Sequence, residues 1–233
     1  MPTARDVLQG FEHVPAREIC EALLPFLVDG RRERIDRVVG ARLVGLTTVI
    51  ENLHDPHNGA AVLRSAEAFG LQNVHVVEAA ERFRFSTEVS QGCEKWIDLH
   101  RHATFDEARS CLREQGFVLY AAVPGAAVTL DALDFSRPAA IVVGNERDGL
   151  TAQAMSACDV QFTIPMEGMT QSLNLSVASA VILSHAVQKR RAALAGASDM
   201  DLASGEALRA RFYGASVRGA EAILERAFGH PAR

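Results

Sequence analysis

The stretch Ile164-Pro-Met-Glu-Gly-Met-Thr-Gln-Ser-Leu-Asn-Leu-Ser-Val-Ala-Ser-Ala-Val-Ile-Leu-Ser-His-Ala186 decides how the rest of the chain is read. It leaves a short apolar run at 160–164, breaks at Pro165 and Gly168, and enters a long helix at Ser172. Pro165 has no N–H for a strand ladder, and Gly168 can take backbone angles closed to other residues, so a tight loop is expected there. The helix carries Leu175, Ala178, Ser179, Ile182 and His185 at spacings of three and four, mostly small or apolar. Gln171, Ser172, Asn174 and Ser176 crowd its start. Their amides and hydroxyls could cap the helix, or face a ligand held over its free N–H groups.

Apolar runs at 43–50, 74–77, 118–123, 139–143 and 160–164 read as buried strands. Helical patterns at 59–69, 105–115 and 151–157 separate several of them, with Thr151 as candidate cap. About five buried strands alternating with helices predict an α/β domain, a mostly parallel sheet with helices on both faces. Ligands of such sheets bind beyond the carboxyl ends of the strands. Three polar loops sit at such ends, at 52–58, 144–149 and 165–172. Residues 78–104 are less regular and hold Phe83, Phe85, a polar Ser-Thr-Glu-Val-Ser stretch and the only tryptophan, Trp96. An Arg-rich helix is expected at 31–39 with Ile35, Val38 and Val39 as its buried face. Residues 1–30 read as one or two short helices, punctuated by Pro2, Pro15 and Pro25, and 193–233 as two weak helices, 204–212 and 217–228. The expected organisation is a helical extension at 1–30, the main domain at 31–192, and a second helical extension at 193–233.

With 48% hydrophobic residues in 233, a substantial core is available and wholesale disorder is excluded. No apolar run approaches the roughly 20 residues that span a bilayer. The start, Met1-Pro-Thr-Ala-Arg-Asp, lacks the apolar centre of a signal peptide. Cys20, Cys93, Cys111 and Cys158 form no C-x-x-C pair, so neither zinc nor a disulfide framework is suggested, and a reduced, cytoplasmic setting is expected. The net charge of −5 opposes a nucleic-acid partner only on average. Arg31, Arg32, Arg34, Arg37 and Arg42 cluster before the first strand, Lys189, Arg190 and Arg191 close the long helix, and Arg209, Arg211 and Arg218 follow. Apart from Lys95 and Lys189 every basic residue is Arg, suited to bidentate phosphate contacts. Any single cluster reads more readily as a solvated helix face.

Several common sites are missing. No G-x-G-x-x-G follows the first strand, no G-x-x-x-x-G-K-[ST] is present, and there is no G-x-S-x-G elbow. His54 and His57 could be imagined as metal ligands, but no third ligand is spaced with them, so no metal is expected. What remains is Asn58 and Arg64 around the first helix, Glu146 after the fourth strand, and Ser172 with Asn174 after the fifth. Arg64 lies under two helical turns from Asn58 and could reach back toward the loop mouth, or be a solvated surface arginine.

Together the three loops resemble a known family. Asn52-Leu-His-Asp-Pro-His-Asn58-Gly-Ala-Ala-Val-Leu-Arg64-Ser-Ala is similar to motif 1 of the SpoU/TrmH-type RNA ribose 2′-O-methyltransferases. Ile141-Val-Val-Gly-Asn-Glu146-Arg-Asp-Gly149-Leu resembles their motif 2, and 164–178 their motif 3. The resemblance covers roughly 31–192. It implies a sheet carrying a deep trefoil knot, which general topology rules disfavour. It also implies S-adenosylmethionine held in a bent form by the knotted loops, with Ala122, Gly144, Ile164 and Leu173 lining its pocket. A homodimer with the motif 3 helix in its interface is implied as well. By the same resemblance Arg64 is the catalytic residue, and Asn58, Glu146, Ser172 and Asn174 position the ribose, the 5′-phosphate and Arg64 itself.

A ribose hydroxyl is a poor nucleophile until its proton leaves, and an arginine is an awkward base because its pKa exceeds 12. Two roles stay open for Arg64: deprotonated with help from a neighbouring phosphate, or cationic beside the alkoxide while Glu146 or a phosphate oxygen takes the proton. The short helical ends, the Trp96 segment and the Gly-Met-x-Gln-Ser-Leu-Asn form of motif 3 look more like the tRNA branch, which methylates guanosine 18 of the D-loop. Arg31, Arg32, Arg34 and Arg37 are then candidate RNA contacts. The alternatives are a ribosomal-RNA 2′-O-methyltransferase, a knotted RNA-binding protein without activity, or a small-molecule methyltransferase.

Overall fold

The run Ala139–Val143, Ala-Ala-Ile-Val-Val, has no polar side chain, and all five residues are buried. A strand apolar on both faces needs helices over both, and the architecture supplies them. The computed structural model describes residues 8–78, 87–90 and 92–229. Phe83 and Phe85, and Pro2 at the start, lie outside the described residues, as does part of the polar stretch that follows Phe85.

The described residues up to Arg42 and from Ala197 onward form one compact unit, and Leu43–Gly196 another. The first contains α1 (Ala16–Leu23), a 3-10 turn at Leu24–Phe26, and α2 (Asp29–Val39). The second runs β1 (Leu46–Glu51), α3 (Pro56–Phe69), β2 (Asn73–Val77), a four-residue α4 (Thr87–Ser90) and β3 (Asp98–His102). It continues with α5 (Phe105–Glu114), β4 (Val118–Ala122), β5 (Val128–Thr129) and β6 (Ala139–Val143). Finally come α6 (Ala152–Ala157), β7 (Val160–Thr163) and α7 (Leu175–Leu194). The chain ends in the first unit with α8 (Leu202–Ser216) and α9 (Ala220–Phe228).

The sheet order is β3-β2-β1-β6-β4-β7-β5, and every named pairing is parallel. One core layer joins Ile50, Ile141, Val143 and Phe162 of the sheet to Val62, Leu63 and Ala66 of α3 and Leu175, Ile182 and Leu183 of α7. The opposite layer joins Val49, Ala121 and Val142 to Phe105, Ala108 and Leu112 of α5 and Ala154 of α6. Burying such side chains contributes about 1.5–3 kcal/mol each, before chain entropy is set against it.

Among the described residues seven strands form where about five were expected. The additional β3 reads Asp-Leu-His-Arg-His, with one apolar residue, because it lies at the sheet edge where polar side chains are tolerated. The other, β5, has only two residues. The first strand spans Leu46–Glu51, while Leu43 makes a lone parallel bridge to Leu71. The loop expected at 52–58 is shorter. Asp55 caps α3, its side chain accepting from the His57 amide at 2.8 Å, and Pro56 supplies the preset first turn. The long helix begins at Leu175 rather than Ser172, because Asn174 is its cap. Gly168 is not in the left-handed region and has open space around it, so the loop bends there without needing glycine.

The arginine helix starts at Asp29 and buries Ile35 and Val39, with Val38 half-buried. The boundaries expected at 30/31 and 192/193 fall instead at 42/43 and 196/197, and the two chain ends pack with each other. Arg209 donates to Asp36 at 2.7 Å, and the fully buried Arg42 lies over the Phe212 ring at 5.7 Å from its centroid. Lys189, Arg190 and Arg191 are employed inside the larger unit: Lys189 donates to the Asp131 and Leu133 carbonyls, Arg190 to those of Phe135 and Ser136, and Arg191 to that of Phe69.

At the β2–β3 edge three imidazoles stack. His75 lies 4.6 Å from His100 and 5.2 Å from His102 between ring centroids, and its Nδ1 is 2.9 Å from Nε2 of His102. Burial first, then His100 and His102, push the His75 pKa down to about 3 from 6.5. Burial also lowers that of His102, with Glu107 pulling the other way. Between those values the unfolded chain binds the proton that the folded chain refuses, so stability is fully present above about pH 6.5 and falls as pH drops toward 3. Thermal unfolding followed against pH will show this loss, and His75→Asn will flatten the slope.

Candidate active site

The sheet order sets β1, β6, β4 and β7 side by side, so the loops leaving their carboxyl ends converge. They enclose a cleft of about 340 Å³, a size that small-ligand sites commonly have. Its walls include Ala122 at the end of β4, Gly144 after β6, Ile164 after β7, and Leu173 before α7, together with Glu146 and Ser172. Phe162 and Ile182 give it an apolar floor.

Gly144 is required by backbone proximity. A Cβ built on it would fall inside the Gly149 carbonyl group and the Leu150 amide nitrogen. The chain from 144 to 150 therefore folds back on itself, held by the reciprocal Asn145 and Gly149 backbone bonds at 3.2 and 3.1 Å. The Asn145 side chain accepts from the Arg147 and Asp148 amides at 2.9 and 2.7 Å, completing the turn. Glu146 stands at its tip.

The three loops are then linked by one polar chain. Asn58 Nδ2 donates to Glu146 Oε1 at 2.8 Å, and Asn174 Nδ2 donates to Asn58 Oδ1 at 3.1 Å. Asn174 Oδ1 in turn accepts from the Ser176 amide and hydroxyl at 2.9 and 2.6 Å and from the Val177 amide at 3.4 Å. Of the two readings left open for the polar residues at this helix start, Asn174 caps the helix, with the Ser176 hydroxyl donating to its Oδ1, while Ser172 faces the cleft. Gln171 is exposed.

Arg64 is not brought into this group. It is exposed on α3, and among the described residues it forms no hydrogen bond or ion pair. Six residues along a helix is about 9 Å of rise and about 1.7 turns, which leaves the Arg64 and Asn58 side chains roughly 120° apart around the axis. Its charge is felt by Cys93, whose thiol is pushed up to about 12, by burial above all. Arg31, Arg32, Arg34 and Arg37 are exposed on α2, with Arg32 3.8 Å from Asp36.

Two participants escaped the sequence reading. Asn52 turns out of β1 with φ 51°, a left-handed conformation that asparagine tolerates better than most residues. Glu51, just before it, is buried and receives both donors of Thr151. A single acidic residue ending an otherwise apolar and Thr-bearing strand was the only signal for it.

A parallel sheet with a cleft at its carboxyl ends, lined by Glu146 and Ser172 and with the Asn58 and Asn174 carboxamides linked in turn to Glu146, has the form in which α/β proteins hold small ligands. The profile of the SpoU rRNA Methylase family matches residues 45–184, and the chain belongs to that family. It is 39% identical over 163 residues to the tRNA (guanosine(18)-2'-O)-methyltransferase of Thermus thermophilus, a match covering 70% of this chain and 84% of that one. Its structure resembles the A. aeolicus TrmH/SpoU tRNA modifying enzyme, with TM-score 0.72 and 25% identity, covering 82% of this chain and 98% of that one. It also resembles the SpoU methyltransferase AviRb from Streptomyces viridochromogenes in complex with the cofactor AdoMet. There the TM-score is 0.58 at 26% identity, over 65% of this chain and 58% of that one.

The crowding at Gly144 makes a direct test. Gly144→Ala will lower stability by about 1–3 kcal/mol in urea unfolding, the usual range for an overpacked site. Gly168→Ala, whose new methyl would meet only the Thr170 nitrogen at 4.0 Å, will leave the midpoint unchanged.

Proposed function

We propose that this protein transfers the methyl group of S-adenosylmethionine to a ribose 2′-hydroxyl of tRNA, at guanosine 18 of the D-loop. The observation that carries the reading is the Glu146–Asn58–Asn174 chain, which joins the three motif loops beside the cleft. The names of the relatives agree with the substrate and the cofactor.

The cleft suits the cofactor by its chemistry: apolar side chains for the body of the ligand, and the loop backbone around Gly144 for its polar edges. Ala122, Gly144, Ile164 and Leu173 are the residues proposed to hold it. Bound there, S-adenosylmethionine supplies an electrophilic methyl on a sulfonium sulfur and no metal is called for.

The protein's task is then to place the ribose in line and exclude water. Glu146 has one carboxylate oxygen bonded to Asn58, and the other makes no hydrogen bond among the described residues. That second oxygen is proposed to take the proton of the 2′-hydroxyl as its oxygen gains the methyl. Arg64 is proposed to stabilise the developing alkoxide or its neighbouring phosphate through its guanidinium N–H donors. Ser172 and Asn174 position the nucleotide. Arg31, Arg32, Arg34 and Arg37 on α2 are proposed RNA contacts, through bidentate bonds to phosphate.

A homodimer, a trefoil knot in the larger unit and a cytoplasmic setting belong to the same proposal. The dimer is supported by Leu173 just before α7 and Val177 and Val181 on it, apolar side chains 38%, 50% and 42% exposed. Among the described residues no helix is long and apolar enough to cross a membrane.

Labelled methyl from S-adenosylmethionine will pass to an unmodified tRNA transcript and will fail to do so when guanosine 18 is replaced. Labelling that persists without that guanosine moves the target elsewhere in the RNA, and labelling of ribosomal RNA alone rejects the tRNA reading. Arg64→Ala will abolish transfer while calorimetric binding of S-adenosylmethionine survives. Equal loss of both would remove Arg64 from its catalytic role.

A further inference from the structure

Glu51 ends β1 and is 3% exposed, yet it is not among the cleft-lining residues. Val49, two residues earlier, belongs to the core layer of α5 and α6, and strand alternation puts Glu51 on that same side, behind the cleft. Among the described residues its carboxylate has two donors and both come from Thr151, a hundred residues later. The Thr151 amide reaches Oε2 at 2.8 Å and its hydroxyl reaches Oε1 at 2.7 Å. Among the described residues Glu51 makes no ion pair.

A buried carboxylate without a counter-ion is costly, and an uncharged residue would fill the space without that cost. What the charge contributes is a pair of strengthened hydrogen bonds to one residue in one geometry. That residue sits at a junction. Thr151 ends the segment that leaves β6, and its hydroxyl also accepts from the Ala154 amide at 3.1 Å to start α6. The other end of the segment is fixed where Val143 pairs with Ile50. Both ends of the 144–150 loop are thus held by the last two residues of β1. From the same point the chain turns through Asn52 toward Asn58, the partner of Glu146.

We propose that Glu51 is a positioning residue for methyl transfer. By clamping Thr151 it sets the placement of the 144–150 loop, and hence of the Gly144 backbone against the cofactor and of Glu146 against Asn58. The inference rests on the function proposed above, and its test separates the two.

Glu51→Gln keeps the shape but turns one acceptor into a donor facing a donor. Hydrogen exchange read by mass spectrometry needs no substrate. Faster exchange confined to peptides spanning 144–151 and 52–58 is expected in Glu51→Gln. Unchanged exchange there, or equal acceleration throughout the chain, overturns the clamp. In the transfer assay the KM for S-adenosylmethionine will rise about tenfold, the loss expected for a hydrogen bond to a charged group, while the KM for tRNA changes less than about twofold. Thr151→Val, which leaves Glu51 in place and removes the hydroxyl donor to its Oε1, will reproduce that split, and Thr151→Ser, which keeps the hydroxyl, will restore near-normal values. Unchanged KM values with only a lower melting temperature overturn the positioning role. A wild-type protein that transfers no methyl overturns the function instead, and the exchange pattern still decides the clamp.

Discussion

The candidate site depends on what a carboxamide can do that few other side chains can: donate at one end and accept at the other. Asn58 gives its N–H to Glu146 and takes one from Asn174, so one side chain joins segments 88 and 116 residues away. An aspartate at 58 would set two carboxylates against each other, and an aliphatic residue would leave Glu146 and Asn174 without this partner. Asn174 is equally committed, with its oxygen on the first amides of α7 and its nitrogen on Asn58. The amide orientations therefore determine each other. Each bond adds only about 0.5–1.5 kcal/mol net, so the chain sets geometry more than it sets stability.

That geometry is available because of where the sheet reverses. From β1 the chain winds outward through β2 to β3, then crosses to the other side, and β6 returns to lie between β1 and β4. Ile50 and Val143 pair at this boundary, and each strand ends within a residue of that pair. Glu51 and Asn52 leave from one strand and Gly144 from the other. The apolar layers of α3 with α7 and of α5 with α6 hold the strands in register, which leaves their ends free to carry polar and crowded backbone. The tight approach of Gly149 to Gly144 is affordable in a loop whose two ends are both fixed to β1.

Much of this was legible in the chain itself. The strand Ala139–Val143 announces its burial by having no polar residue, and the polar loops at 52–58, 144–149 and 165–172 stand out against apolar runs. The edge strand Asp98–His102 was not legible, because a strand buried on neither face fully has no apolar signature. The helix starts were displaced for a local reason: Asp55 and Asn174 cap from positions that composition alone reads as loop or as helix. Long-range pairings such as Glu51 with Thr151 leave no trace in spacing, since nothing in either neighbourhood refers to the other. Nor does composition tell a solvated arginine from one such as Arg190, which is buried and bonded to the Phe135 and Ser136 carbonyls.

The use of arginine bears on how an acidic chain can serve a polyanionic substrate. In the terminal unit arginines and acidic residues balance, so the net charge of −5 falls on the larger unit. There the cations that close α7 are committed to backbone carbonyls, and Arg113 is paired with Asp159 at 2.6 Å. On α2, by contrast, Arg31, Arg34 and Arg37 are exposed, and among the described residues Arg32 has a single ion pair, a 3.8 Å contact with Asp36 in a half-exposed setting. Such a pair contributes little and yields readily to a stronger anion. Phosphate attraction screens over about 10 Å at ordinary salt, so an RNA backbone responds to the arginines nearest it and hardly to the average over the chain. On the proposed function, a net-acidic protein binds tRNA through a few exposed guanidinium groups, while its carboxylates are left to position loops and to accept a proton.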